Sequence, residues 1–232
     1  MESLVPDERV DVLVFGAHAP DLRGLRNHVG EHLDGAIGGL HVTGKTVGVG
    51  CGVAGASAAK RVFQLQPRAV VHLGTCGIYP GLAQYQPYDV IVATKLVLVD
   101  LGVLAGRARW PEPMQSERET HAMMASGLAA SGRRAFPAVV ACTYAITTDD
   151  AIASEIPKRT ECHAENLEGF AIAHACHLAE VPFLSVLATT HVIGSGATAD
   201  WQKYERQATL SAAEVLVSWI HNGAQGLPHG RR

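Results

Sequence analysis

The chain is 232 residues long, 47% hydrophobic and 18% charged, with a formal net charge of −3. That length and apolar content suffice for a sizeable core and exclude a globally disordered chain. The slight acidic balance argues against a strongly basic nucleic-acid surface, and no apolar stretch approaches the roughly 20 residues that span a bilayer.

In chain order, the segment MESLVPDERVD lacks a basic region followed by an apolar run, so no signal peptide is read there. Val10 to Phe15 (VDVLVF) is a short β-branched run ending at Gly16 and predicts a buried strand. Asp21 to His32 has helical spacing. His41 to Gly50 reads as one or two strands around Gly44 and Lys45. Ala54 to Leu65 is Ala-rich and predicts a helix, and Ala69 to Leu73 a second buried strand. Tyr88 to Leu101 is β-rich, and the Gly-, Pro- and Arg-rich stretch from Gly102 to Glu117 reads as a long loop, a lid or an interface element.

Thr120 to Gly132 predicts a helix, Ala138 to Ile146 a strand, Glu168 to Glu180 a helix, Phe183 to Ala188 a strand and Trp201 to Ile220 a final amphipathic helix. The tail LPHGRR is expected to fray. Strands alternating with helices indicate an α/β protein with a largely parallel or mixed sheet. Five dispersed cysteines without a CxxC pair suit a reducing compartment, so the expected location is the cytoplasm.

Two phosphate-type motifs fail on context. GLHVTGKT, from Gly39 to Thr46, matches GxxxxGK[ST] but leads into the strand-like VGVGCG rather than a helix. GCGVAG, from Gly50 to Gly55, follows a strand and opens a helix. The next strand nevertheless ends in Leu73-Gly74-Thr75, without the acid a dinucleotide site needs. His163, Glu165, His174 and His177 cluster in sequence, but neither PCxxC nor a clear third ligand accompanies them, so no metal is expected. No GxSxG is present, and no cofactor is implied.

Three separated features remain. They are Gly16-Ala-His-Ala-Pro-Asp21, Gly74-Thr75-Cys76-Gly77, and Glu165-Asn-Leu-Glu168-Gly opening a helix whose following strand ends at Thr190-His191. All fall at carboxyl ends of strands, where open α/β sheets bind ligands. Together they supply carboxylates, a hydroxyl, glycine backbone and an imidazole.

On these residues the chain resembles the nucleoside phosphorylase and nucleosidase family. EGFAIAHACHLAEVPF from Glu168, GTCG from Gly74 and VFGAHAPD at the start are each similar to family segments, and the likeness runs from near residue 10 to about residue 220. It is nearest to methylthioadenosine/S-adenosylhomocysteine nucleosidases and, from Tyr144 through Glu168 to Trp201, to futalosine hydrolases. The resemblance implies a three-layer α/β/α fold with a central mixed sheet. It implies one domain over residues 1–232, with a core from 8 to 222, and a homodimer or higher homo-oligomer.

It further implies catalytic Glu168 on the ribose hydroxyls, Asp21 orienting water and His191 assisting the leaving base. Gly16, Thr75, Cys76, Gly77, Ile146, Asn166, Leu167 and Glu168 would bind substrate, a small nucleoside, with phosphate as a second possible partner. Pro20 and His72 stand where phosphorylases place phosphate-binding arginines, with Arg23 and Arg26 out of register, which favours hydrolysis over phosphorolysis. His191 stands where nucleosidases carry Asp, and Leu187 where a neighbouring Arg is found. The alternatives are phosphorolysis, or a catalytically impaired nucleoside-binding homologue.

Overall fold

A computed structural model describes residues 10–131 and 134–229. The N-terminal segment up to Arg9 read above for a signal, Gly132 at the end of one expected helix, and the last three residues of the expected tail lie outside the described residues.

The strands are β1 (Val12–Gly16), β2 (Asp34–Ile37), β3 (Leu40–Thr46), β4 (Ala69–Ile78), β5 (Val90–Leu98), β6 (Glu117–Glu119), β7 (Ala135–Cys142), β8 (Ala164–Asn166) and β9 (Phe183–Val192). The helices are α1 (Arg23–Val29), α2 (Cys51–Leu65), α3 (Leu101–Leu104), α4 (Ala122–Ala129), α5 (Asp150–Thr160), α6 (Gly169–Leu178) and α7 (Ala197–His221). The sheet runs β2-β3-β1-β4-β8-β7-β5-β6, with β9 paired to both β4 and β5. β9 is parallel to β4 and antiparallel to β5, while β8 is antiparallel to β4 and parallel to β7. Strands β4, β9, β5, β7 and β8 therefore close on themselves as a ring, and β1, β3 and β2 extend from it.

Helices cover both faces. On one, α1, α4 and α7 pack Leu25, Leu128 and Trp219 against the β1 and β4 residues Val12, Val14, Val71 and Leu73. On the other, α2 and α6 pack Ala54, Ala58, Ile172 and Cys176 against Leu13, Phe15 and Val70. The alternation of Val70 with Val71 between the two cores is the period-2 signature of a strand buried on both sides. This is the mixed α/β/α arrangement anticipated from the sequence. Among the described residues no helix is long and apolar enough to cross a membrane.

Several boundaries differ from expectation. The segment from Asp21 begins in a 3-10 turn, Ala19–Leu22, and α1 ends at Val29. Gly44 and Lys45 lie inside β3, and the hairpin turns at Gly38-Gly39 instead. The loop from Gly102 carries the end of α3 and the start of β6. The strand expected to end at Ile146 ends at Cys142, leaving Tyr144 and Ile146 exposed on a loop. The expected fraying of the tail is corrected for its described part. Leu227 packs on the core, and the Pro228 carbonyl accepts from Arg68 Nε at 3.2 Å and Nη2 at 2.9 Å.

Candidate active site

A cavity of about 430 Å³ opens at the carboxyl ends of the central strands, within the range of small-molecule sites. Its wall includes Asp21, Thr75, Glu168 and His191, joined by Cys76, Gly77, Ile146, Asn166 and Leu167. One sequence candidate is absent from the lining. Gly16 is buried behind Asp21, and a Cβ there would meet Asp21 Cβ at 2.8 Å. Its contribution is the space that lets the carboxylate fold back over the end of β1, not a contact with ligand.

Asp21 is 3% exposed. Its Oδ2 accepts from the His18 amide at 3.1 Å and lies 2.8 Å from His18 Nδ1, while its own N–H donates to the His18 carbonyl at 3.1 Å. The carboxylate raises the His18 pKa above the ordinary value. Trp201 of α7 stacks near His18, ring centroids 6.4 Å apart, and donates its indole N–H to Thr75 Oγ1 at 3.2 Å. That bond takes a lone pair of Thr75, so the Thr75 hydroxyl proton remains to donate into the cavity.

Glu168 is 4% exposed and precedes α6. It does not cap its own helix. Asn166 does so, its Oδ1 accepting from the Glu168 and Gly169 amides at 2.9 and 2.8 Å while its Nδ2 donates to the Thr75 carbonyl at 3.2 Å. The Asn166 side chain is thus committed to the protein. The Glu168 carboxylate instead reaches the start of α2, where Oε1 accepts from Gly50 N–H at 2.8 Å. The glycine motif that invited a phosphate reading therefore holds the protein's own anion at a helix N-terminus. Burial raises the Glu168 pKa, the Gly50 bond opposes this, and the nearby Asp21 charge raises it further.

Neighbouring Glu165 is spent on structure. It accepts from Tyr79 Oη at 3.0 Å, Thr147 N at 3.0 Å and Thr147 Oγ1 at 2.7 Å, tying the loop that bears Ile146 to β8.

His191 lies inside β9 rather than at its end, at a bulge where register with β4 slips between Cys76 and Gly77. The slip leaves Thr190 unpaired in the ladder. The Thr190 hydroxyl donates to the Cys76 carbonyl at 3.1 Å and lies 2.8 Å from His191 Nδ1. A hydroxyl has one proton, so both contacts hold at once only when Nδ1 carries the imidazole hydrogen. Neutral His191 then presents a lone pair at Nε2, and only the imidazolium can donate from that atom. Burial lowers its pKa from 6.5. The ring lies over Gly77, where a Cβ would be 2.5 Å from Nε2.

The clustered histidines face elsewhere. His174 Nδ1 is bonded by Arg118 at 3.1 and 2.9 Å, and its ring stacks on Phe170. No group of three or more His, Cys, Asp or Glu arranged for a metal occurs among the described residues. No Arg or Lys is among the described residues lining the cavity. Arg23 is held by Glu205 and Thr209, both at 3.3 Å. The sequence analysis missed His18 as a lining residue and named His72 only as standing at a phosphate-binding position of the family. His18 was detectable from its spacing of three to Asp21, and His72 from its place just before the Gly74 turn.

A helix-flanked mixed sheet with a cavity of acids and imidazoles at its strand ends defines an α/β enzyme for a small molecule. The phosphorylase superfamily model matches residues 6–220, and the chain belongs to that superfamily. It is 23% identical over 226 residues to the 5′-methylthioadenosine/S-adenosylhomocysteine nucleosidase of Aeromonas salmonicida, covering 89% of this chain and 97% of that protein. Its fold matches the nucleosidase of that name from Neisseria meningitidis, solved with methylthio-immucillin-A, at a TM-score of 0.81 and 19% identity, over 91% of this chain and 99% of the other. Native futalosine hydrolase of Helicobacter pylori strain 26695 matches at 0.79 and 14%, over 92% and 98%.

Proposed function

We propose that the chain hydrolyses the N-glycosidic bond of a purine-type nucleoside or a futalosine-like substrate. The observation carrying this reading is that one buried cavity gathers Asp21, Glu168 and His191 from three distant parts of the sequence. Relatives named as nucleosidases and a futalosine hydrolase support it.

In this reading Glu168 accepts from the ribose hydroxyls, and Asp21 orients a water for attack at C1′. The C1′–O bond forms as the C1′–N bond breaks, through an oxocarbenium-like state whose positive charge both carboxylates stabilise. The water gives one proton to Asp21. The base leaves with the glycosidic electron pair and takes a proton from His191 in its imidazolium form. Water is favoured over phosphate because the lining offers three acids and no Arg or Lys among the described residues, so a dianion would meet repulsion without a charge-assisted partner.

We place the protein in the cytoplasm, where its five buried, unpaired cysteines stay reduced. We take it to be a single domain that forms a homodimer or higher oligomer through apolar surface such as Val53 and Phe63 on α2. The test of the reaction is a product screen over a nucleoside panel with and without phosphate. Free base and free sugar in phosphate-free buffer are the expected products. Ribose 1-phosphate formed only with phosphate would establish phosphorolysis, and binding without product would establish an impaired homologue.

A further inference from the structure

His72 is fully buried on β4, yet half of its imidazole has no partner. Val71 and Leu73 on either side face the α7 core, so strand alternation turns His72 to the opposite face with Val70. Nδ1 lies 3.0 Å from Ser185 Oγ, directly across on β9, where His72 and Ser185 are in register. Nε2 points past Gly74, whose missing side chain leaves it room, since a Cβ there would sit 3.4 Å away. Nε2 has no hydrogen-bond partner among the described residues. Native proteins rarely leave such an atom unpaired, and each exception calls for a reason. Here the reason is at hand, because His72 lines the cavity beside Gly74 and Thr75.

We propose that His72 is a further catalytic residue, its Nε2 accepting a hydrogen bond from the attacking water and later from the anomeric hydroxyl of the product sugar. This inference rests on the hydrolytic reading above and completes its nucleophile subsite. In this arrangement the attacking water would be four-coordinate. One O–H points to Asp21 and the other to His72 Nε2, Thr75 donates to one lone pair, and the second lone pair faces C1′. On attack the proton toward Asp21 is transferred, while the proton on His72 stays with oxygen and becomes the product hydroxyl hydrogen. Proton and bond counts balance without any further reactant.

The remaining wall supports a neutral partner. Burial pushes the His72 pKa down to about 4, with the Asp21 charge opposing, so the ring is uncharged near neutrality and carries no charge for an anion. Ser185 Oγ can accept from Nδ1–H, which leaves the Nε2 lone pair free to serve as the acceptor.

The test combines turnover with a binding readout that needs no variant. In uniformly ¹⁵N-labelled protein, D-ribose is expected to shift the His72 Nε2 resonance. 1,4-Anhydro-D-ribitol, which lacks the anomeric hydroxyl, is expected to leave it in place while still moving the Gly50 amide beside Glu168. His72→Phe should lower kcat by about 10- to 100-fold, as loss of one positioning contact does, with KM changed less than about threefold. His72→Gln, which keeps an acceptor, should recover part of that loss. A resonance unmoved by D-ribose overturns the inference whatever the turnover, and so does a folded His72→Phe enzyme with unchanged kcat. A wild-type protein that shifts with ribose but cleaves no nucleoside would retain the His72 contact and overturn the hydrolytic reading instead.

Discussion

The carboxylate of Glu168 stands between the Gly50 amide and the cavity, holding an anion where the helix N-terminus stabilises it and burial opposes it. Replacing Glu168 by Gln keeps an oxygen for Gly50 but removes the charge facing the sugar. The expected result is a fall in kcat/KM of about 10²- to 10³-fold with an unchanged melting temperature. His191 adds a pH signature. Burial lowers its pKa and raises that of Glu168, so the protonated imidazole and the ionised carboxylate coexist over a narrower pH span than the free groups would allow. A bell-shaped kcat profile with its maximum on the acid side of neutrality is expected, and His191→Asn should remove the alkaline limb. His72 acts on stability with the same logic. The unfolded chain takes up its proton near 6.5 and the native one near 4, so this stabilisation is present above pH 6.5 and is lost as pH falls toward 4. The loss amounts to about 3 kcal/mol. Urea titrations across that range should show it in the wild type and a flatter dependence in His72→Phe. At this scale Asp21 and Thr75 were legible because each follows a recognisable run of strand residues, and Glu168 because it opens a readable helix. The acceptor form of His191 was not, since it depends on a bulge that frees Thr190, and His72 was marked by its position while its unpartnered Nε2 was not.

Among the elements that the sequence concealed, two fasten the site. β8 has three residues, too few for any periodicity, yet it carries Glu165 and Asn166. α5 contains Pro157, a residue that interrupts helical hydrogen bonding. It forms because Asp149 caps it, accepting from Ile152 N–H at 2.8 Å, and because Ala153 and Ile156 are buried. The first turn of α5 then holds the approach to α7, since Asp150 accepts from the Ser195 amide at 2.8 Å and its hydroxyl at 3.0 Å. The readable helices, α2 and α7, earned their length from Ala-rich or amphipathic sequence. Asn166 is where an element-scale test is sharpest. Asn166→Ala removes the cap of α6 and the link to the Thr75 carbonyl, a loss of about 1–2 kcal/mol. For a chain of this size that lowers the melting temperature by about 2–8 °C. A midpoint unchanged in differential scanning calorimetry would mean that α6 is held by packing alone.

At the scale of the whole molecule, the sheet decides whether the site is one object or two. Alternating strands and helices announced an α/β chain, but no local pattern reveals that β9 runs parallel to β4 and antiparallel to β5, or that β8 closes the ring. The pairings of β4 with β8 and β9, and of β5 with β9, join residues more than 80 positions apart and are fixed by tertiary packing rather than propensity. Their consequence is that Asp21, His72 and Thr75 from the first third of the chain share a wall with Glu168, His191 and Trp201 from the last third, through β4 and β9 paired along most of their length. As the single domain proposed above, the chain should unfold as a unit. The three tryptophans allow this to be measured, because Trp219 is in the core at 1% exposure and Trp201 is bonded to Thr75 in the site. In urea, Trp201→Phe and Trp219→Phe proteins each isolate the other's fluorescence against Trp110. Each signal is expected to change with the same midpoint as far-UV circular dichroism recorded on the same variant, the criterion for a two-state transition. Trp201 fluorescence changing well before the helical signal would show that the site wall formed by α7 opens independently, and the single-domain assignment would then give way to a core with a detachable wall.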